Sequence, residues 1–279
     1  MAAPAQSGIE IIPDVVYGHK DGLALTFDVL KPRTKANGAA VLFMVSGGWV
    51  STYSPPRQTA ERFKDLLDRG FTVIAVRHGS SPKYFIPEIV ADVRRAVRFI
   101  RFNAGKWGID SDRLGVFGGS AGGHLSLVLG TASDLGDPNA KEDFMKQSDR
   151  VASVVAYFPP VDLRPLARGI RTAADGATTD RFPALNFPRD KAADYSPIVH
   201  VSPDDPPTLL IHGDQDMLVP VSNSRLIYEE FQKNKVKTEL IIIEGAAHGF
   251  KGDDAKRAEA AMASWFEQTL VTGTRKSER

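Results

Sequence analysis

The chain has 279 residues, 42% of them hydrophobic and 25% charged, with 35 basic against 34 acidic side chains. These proportions place it among ordinary globular proteins and argue against disorder, and near-neutrality removes the electrostatic case for nucleic-acid binding. The absence of cysteine excludes a disulfide framework, a thiolate metal site and a cysteine nucleophile.

The opening residues lack a basic n-region and an apolar h-region, so they do not read as an intact signal peptide. A cytoplasmic protein, or a secreted one whose leader has been removed, fits equally. No apolar run approaches the roughly 18 residues that a membrane-spanning helix needs. Oligomeric state is not legible in the sequence.

Taken in chain order, short β-branched runs alternate with stretches of helical period. That is the pattern of a mostly parallel sheet with helices on both faces. An antiparallel pair is expected at 14–18 and 23–30, joined by the turn 19–22. A buried strand at 39–45 ends in Ser46-Gly47-Gly48-Trp49. One helix is expected at 57–69, closed by Gly70, and a strand at 71–76 follows. In the next helix Val90, Val93, Val97 and Ile100 share a face; Arg94, Arg95, Arg98 and Arg101 lie largely opposite and read as a solvated face. Strands at 113–117, 151–157, 207–211 and 238–243, with helices from 124, at 222–233 and at 254–270, complete a doubly wound sheet of eight strands. The stretch 160–196 is too long for an ordinary connection and is expected to pack over the domain as a lid. The chain reads as one domain, residues 1–279.

The most informative segment is Gly118-Gly119-Ser120-Ala121-Gly122. Small residues on both sides of a serine let a strand turn sharply into a helix, with the hydroxyl held clear of the sheet edge. A serine at its free pKa needs a base. Of six histidines, His248 stands out: it follows the last strand in a loop of small residues, Gly245-Ala-Ala-His-Gly249, at the same sheet edge. His19 and His200 read as surface residues and His124 and His212 as structural, while His78 is compatible with a pocket wall or a structural role. The orienting acid is expected in His212-Gly-Asp214-Gln-Asp216, with Asp216 preferred, Asp214 assigned to capping the turn, and Glu244 a distant third. Donors for an oxyanion are expected from the backbone of Gly47, Gly48 and Ala121, with Trp49 in reserve. Trp49 and Tyr53 are expected to border the cleft.

With these motifs in the order Ser, Asp, His, the chain resembles the α/β-hydrolase superfamily, and within it the bacterial esterases and lipases similar to acetyl-xylan and feruloyl esterases. The opening Val16-Tyr-Gly, Asp21-Gly, Leu25 and Asp28-Val is similar to the same relatives. One departure is that relatives carry His-Gly-Gly-Gly-Trp where this chain reads Val45-Ser46-Gly47-Gly48-Trp49.

The resemblance implies an α/β-hydrolase fold and a serine esterase acting on a small-molecule or carbohydrate ester, with no cofactor and no metal. An amidase or formamidase, a small peptidase of prolyl-oligopeptidase type, and an inactive hydrolase-fold binding protein are the alternatives. The residues 163–191 carry Arg164, Arg168, Arg171, Arg181, Arg189 and Lys191 against Asp175, Asp180 and Asp190. A solvated loop is the preferred account of that charge, over a cationic lid favouring carboxylate-bearing esters.

Overall fold

The computed structural model describes residues 8–170 and 180–272. Arg171 and Asp175 of the expected lid therefore lie outside the described residues. Eight strands form one sheet: β1 (Ile9–Lys20), β2 (Leu23–Pro32), β3 (Ala40–Met44), β4 (Thr72–Val76), β5 (Leu114–Gly119), β6 (Ser153–Tyr157), β7 (Thr208–Gly213) and β8 (Thr238–Ile243). Their spatial order is β1-β2-β4-β3-β5-β6-β7-β8. β1 pairs antiparallel with β2, β2 antiparallel with β4, and every other pairing is parallel. The first hairpin is longer than expected because its turn needs only Asp21 and Gly22, both at positive φ (49° and 78°). A two-residue turn of that kind matches strand twist and lets pairing continue to the loop.

Helices cover both faces. On one side α3 (Ile86–Phe102), α4 (Ala121–Thr131) and α5 (Ser222–Lys233) bury Ile89, Val93, Leu125, Leu129, Ile227 and Phe231. On the other, α1 (Pro56–Arg62), α2 (Lys64–Asp68) and α6 (Gly252–Phe266) bury Ala60, Leu66, Leu67, Met262 and Phe266. The single helix expected at 57–69 is two, because Phe63 leaves helical geometry (φ −104°, ψ 28°). Its ring instead packs edge-on to Phe43 and Phe117, with centroids 4.9 and 5.1 Å away. Such pairing adds about 0.5–1.5 kcal/mol beyond burial. The helix expected at 254–270 starts at Gly252 and widens into a π turn at Glu267–Thr272.

The arginines of α3 are not a solvated face. Arg95 grips Glu142 with two nitrogens, at 2.7 and 2.6 Å, and Arg98 bonds the Gln147 carbonyl and Asp134. Arg101 bonds the carbonyls of Ser148, Ser111 and Arg150. Planar guanidinium forks satisfy the backbone of a long loop that has little apolar surface of its own to bury. Periodicity located the arginines on one face; it carried no information about what lies against that face.

The chain leaves β3 for β4 on one side and then crosses to β5 on the other. The carboxyl ends of β3 and β5 therefore flank a topological switch point, where open α/β sheets leave a crevice.

Candidate active site

Ser120 sits in that crevice, between the last residue of β5 and the first of α4. Its backbone has φ 55° and ψ −120°, a sparsely populated combination for a residue with a side chain. The glycines around it make the turn sterically possible. A Cβ on Gly118 would approach the Gly122 carbonyl carbon to 2.6 Å, and one on Gly122 would lie 2.7 Å from the Met44 oxygen. The strain is held in place from outside: Ser120 N–H donates to the Tyr157 carbonyl (2.9 Å) and Gly122 N–H to the Ser46 carbonyl (3.2 Å).

Two other loops meet the same edge. After β7, Asp216 is buried to 4% exposure and accepts the N–H groups of Leu218 and Val219 on one oxygen, each at 2.9 Å. Its other oxygen accepts His248 Nδ1–H at 2.7 Å. That bond fixes the tautomer and leaves Nε2 of His248 as the basic nitrogen. Asp214 does not cap its own turn as expected: it accepts the Gly245 N–H at 2.8 Å and so ties the loop after β7 to the loop after β8. Glu244 is exposed.

His212 is wholly buried. Its Nε2 donates to the Val219 carbonyl (2.8 Å) and lies 3.3 Å from Asp216, while Nδ1 accepts from Ser224 Oγ (2.7 Å). Burial lowers its pKa. A neutral ring with that proton steadies the loop around Asp216, a role that the sequence disclosed only as a histidine ending a strand.

Phe158, at φ 38°, was not singled out in the sequence. Its ring packs 4.6 Å from the His248 ring and against the position a Cβ would take on Gly119. It thereby joins the histidine loop to the serine turn. The signal for it was faint: an aromatic residue directly after a buried strand. Among the described residues Ser120 Oγ makes no hydrogen bond to a protein acceptor, so the hydroxyl faces the cavity.

That cavity measures about 360 Å³ and is lined by Gly48, Trp49, Ser120, Leu166, Phe182 and Leu218 among others. Trp49 borders it as expected, although its ring is largely buried: Trp49 Nε1 donates to His124 Nδ1 (3.3 Å), and His124 Nε2 donates to the Tyr195 carbonyl (2.8 Å). Tyr53 does not line it. It is 60% exposed and stacks over the Arg77 guanidinium, at 5.7 Å. His78 is buried outside the cavity, its Nδ1 bonded to Gly79.

The expectation for Gly47 is corrected as well. Gly47 and Val50 exchange both backbone hydrogen bonds at 3.0 Å, which consumes the Gly47 N–H in a tight turn. That turn puts Gly48 and Trp49 at positive φ (58° and 61°). Among the described residues the N–H groups of Gly48, Trp49 and Ala121 have no protein acceptor. Ala121 is the first residue of α4, where four N–H groups lack helical partners and the dipole is positive.

No group of three or more His, Asp or Glu side chains among the described residues is arranged to hold a metal ion. No described helix is long and apolar enough to cross a membrane.

Comparison with known proteins agrees with this architecture. The BD-FAE family profile matches residues 27–231. The chain belongs to the BD-FAE family. The dienelactone hydrolase family profile also matches its C-terminal part, residues 192–272. A solved structure of a truncated carbohydrate esterase from gut microbiota superposes with a TM-score of 0.75 at 25% identity, covering 96% of this chain and 99% of that one. The esterase Est2 of Thermogutta terrifontis, solved with propionate bound, gives 0.74 at 27% identity, with 95% of each chain covered. The fold of this BD-FAE protein is therefore the α/β-hydrolase fold. Among curated sequences, the probable carboxylic ester hydrolase LipM of Mycobacterium tuberculosis is 29% identical over 79% of this chain and 51% of its own length. The chain thus spans about half the length of curated relatives it matches.

Proposed function

We propose that this BD-FAE protein is a serine carboxylic-ester hydrolase in which Ser120 is the nucleophile, His248 the base and Asp216 the orienting acid. The observation that carries the reading is the 2.7 Å bond from His248 Nδ1 to the buried Asp216 carboxylate, at the sheet edge where Ser120 is held at φ 55°. The ester hydrolase relatives and the propionate found in Est2 support a small acyl group as substrate. The likeness to a carbohydrate esterase supports an acetylated or feruloylated sugar as its alcohol side.

In the first half-reaction Ser120 Oγ bonds to the carbonyl carbon as its proton passes to His248 Nε2. The π electrons move onto oxygen, where the N–H groups of Ala121 and of Gly48 or Trp49 receive the charge. Asp216 stabilises the imidazolium. Collapse breaks the C–O bond to the alcohol, which leaves with the proton from His248. Water then repeats the sequence on the acyl-serine and releases the acid. The open Ser120 hydroxyl suits this scheme, since serine–imidazole contacts commonly tighten only once substrate is seated.

The test is turnover of 4-nitrophenyl acetate, propionate and butyrate, together with labelling by a fluorophosphonate. Ser120→Ala abolishes both while leaving the thermal unfolding midpoint within a few degrees of the wild type. Wild-type turnover retained by that variant refutes the assignment.

A further inference from the structure

The cationic surplus of residues 163–191 is not absorbed by ester chemistry, and the described side chains within it divide into two groups. Arg164 pairs with Asp162 (2.7 Å), Lys191 lies 3.8 Å from Asp194, and the Arg181 guanidinium rests over the Phe182 ring. These belong to the local fold. Arg168 and Arg189 differ, because both line the cavity that holds Ser120. The solvated-loop reading is corrected for Arg168, which is paired with Asp180; Arg189 is exposed as that reading expects but also borders the cavity.

Among the described residues Arg189 is exposed and its side chain has no hydrogen bond or ion pair. Arg168 is held through its backbone, N–H to the Leu185 carbonyl at 2.9 Å, and its charge is opposed by Asp180 at 2.9 Å. The nitrogen that faces Asp180 is Nη1, and it is buried. No described residue lining the cavity is acidic. The remaining wall, with Pro165, Leu166, Phe182, Leu185, Leu218 and Val219, is apolar, and apolar surroundings strengthen the attraction between fixed charges.

We propose that this cavity accepts esters bearing a free carboxylate, with the Arg189 guanidinium as the seat of that anion and the Asp180-paired Arg168 on the same wall. The inference rests on the hydrolase reading above and narrows its substrate class. Asp180 already offsets Arg168, so among the described residues the seat carries about one uncompensated charge. That matches a carboxylate monoanion better than a phosphate dianion. A planar carboxylate is also the partner that a guanidinium fork binds through two parallel bonds. The apolar wall would take the carbon skeleton between the anion and the scissile bond.

Two matched pairs test both sides of the ester. On the acyl side, the 4-nitrophenyl monoester of adipic acid is set against 4-nitrophenyl hexanoate. On the alcohol side, 4-acetoxybenzoate is set against its methyl ester. The readout is the ratio of kcat/KM for the anionic to the neutral member, which cancels general effects on catalysis. The wild type is expected to favour the anion in at least one pair. Arg189→Glu should reduce that ratio by about 10- to 100-fold, the worth of one charged hydrogen-bonded contact. Arg189→Lys should restore most of it, and 0.5 M salt should compress it.

A wild type that prefers the neutral member of both pairs, or an Arg189→Glu variant with both ratios unmoved, overturns the proposal. A wild type that hydrolyses neither member of either pair would instead refute the hydrolase reading on which it rests.

Discussion

Asp216 shows how much one side chain can be asked to do. One oxygen is consumed by two backbone donors and the other by His248, with the His212 N–H close by. All of its neighbours are donors, so Asp216→Asn must turn an NH₂ group toward at least one of them. Its oxygen would remain with Leu218 and Val219, and its NH₂ would force His248 to protonate on the other nitrogen. The expected loss in kcat is about 10⁴-fold, with the fold preserved; a loss below tenfold would show that Asp216 does not orient the base. Gly122→Ala is a steric counterpart. A Cβ 2.7 Å from the Met44 oxygen must push β3 and α4 apart, so it should lower both stability and activity, and a fully active, fully stable variant would contradict the geometry. The loop after β3 adds a lesson at the same scale. Glycine spacing identified the loop, but only the hydrogen bonds of a tight turn show that the Gly47 amide is spent and that the amides beyond it are free.

Among the elements, α3 departs most from its sequence pattern. Its apolar face was legible because residues three and four apart fall on one side of a helix. Its arginines read as solvated because a single sequence does not reveal that the loop at 132–150 folds across them. Arg98 is only 6% exposed and lies 3.6 Å from the wholly buried Asp149, whose pKa is raised chiefly by burial. Arg98→Met removes a cation from that buried acid and unpins the Gln147 carbonyl. A destabilisation of about 2–4 kcal/mol is expected in urea unfolding at pH 7, with faster amide exchange confined first to 132–150. An effect below 0.5 kcal/mol would return the arginines to the status of surface decoration. The lid illustrates the complementary case. Length and composition marked the stretch 160–196 as an expected lid; of its described residues Leu163, Leu185, Phe187 and Ala192 are buried in the main core cluster. Which of its cations turn toward Ser120 depended on packing alone.

Across the molecule, His124 is the point where three distant pieces are tied: Trp49 of the loop after β3, α4 itself, and Tyr195 near the end of the lid segment. Complete burial lowers its pKa from 6.5 to about 4. The folded state therefore resists protonation that the unfolded chain accepts. The resulting stability is fully present above pH 6.5 and is lost as the pH falls toward about 4. At pH 5 the wild type should already have forfeited about 2 kcal/mol of it. His124→Asn lacks this contribution, so its stability deficit relative to the wild type should shrink by about that amount between pH 7.5 and pH 5, as read from urea unfolding at both values. A deficit that does not change with pH would mean that the ring is not held neutral.

The sequence by itself determined the alternation of strands and helices, the glycine-flanked serine between strand and helix, and the chain order of hydroxyl, carboxylate and imidazole. These are local: each depends on the conformations open to a few neighbouring residues, or on a period of two or 3.6. The tertiary structure alone decided that Gly47 is occupied and Trp49 free, that Tyr53 lies away from the cavity while Arg168 and Arg189 line it, that Phe158 bridges the serine turn and the histidine, and that the α3 arginines clasp a loop. Each of these is a meeting of residues tens of positions apart, or the outcome of two groups competing for one partner. Hydrogen bonds and burial are settled by what the whole chain brings to the same place.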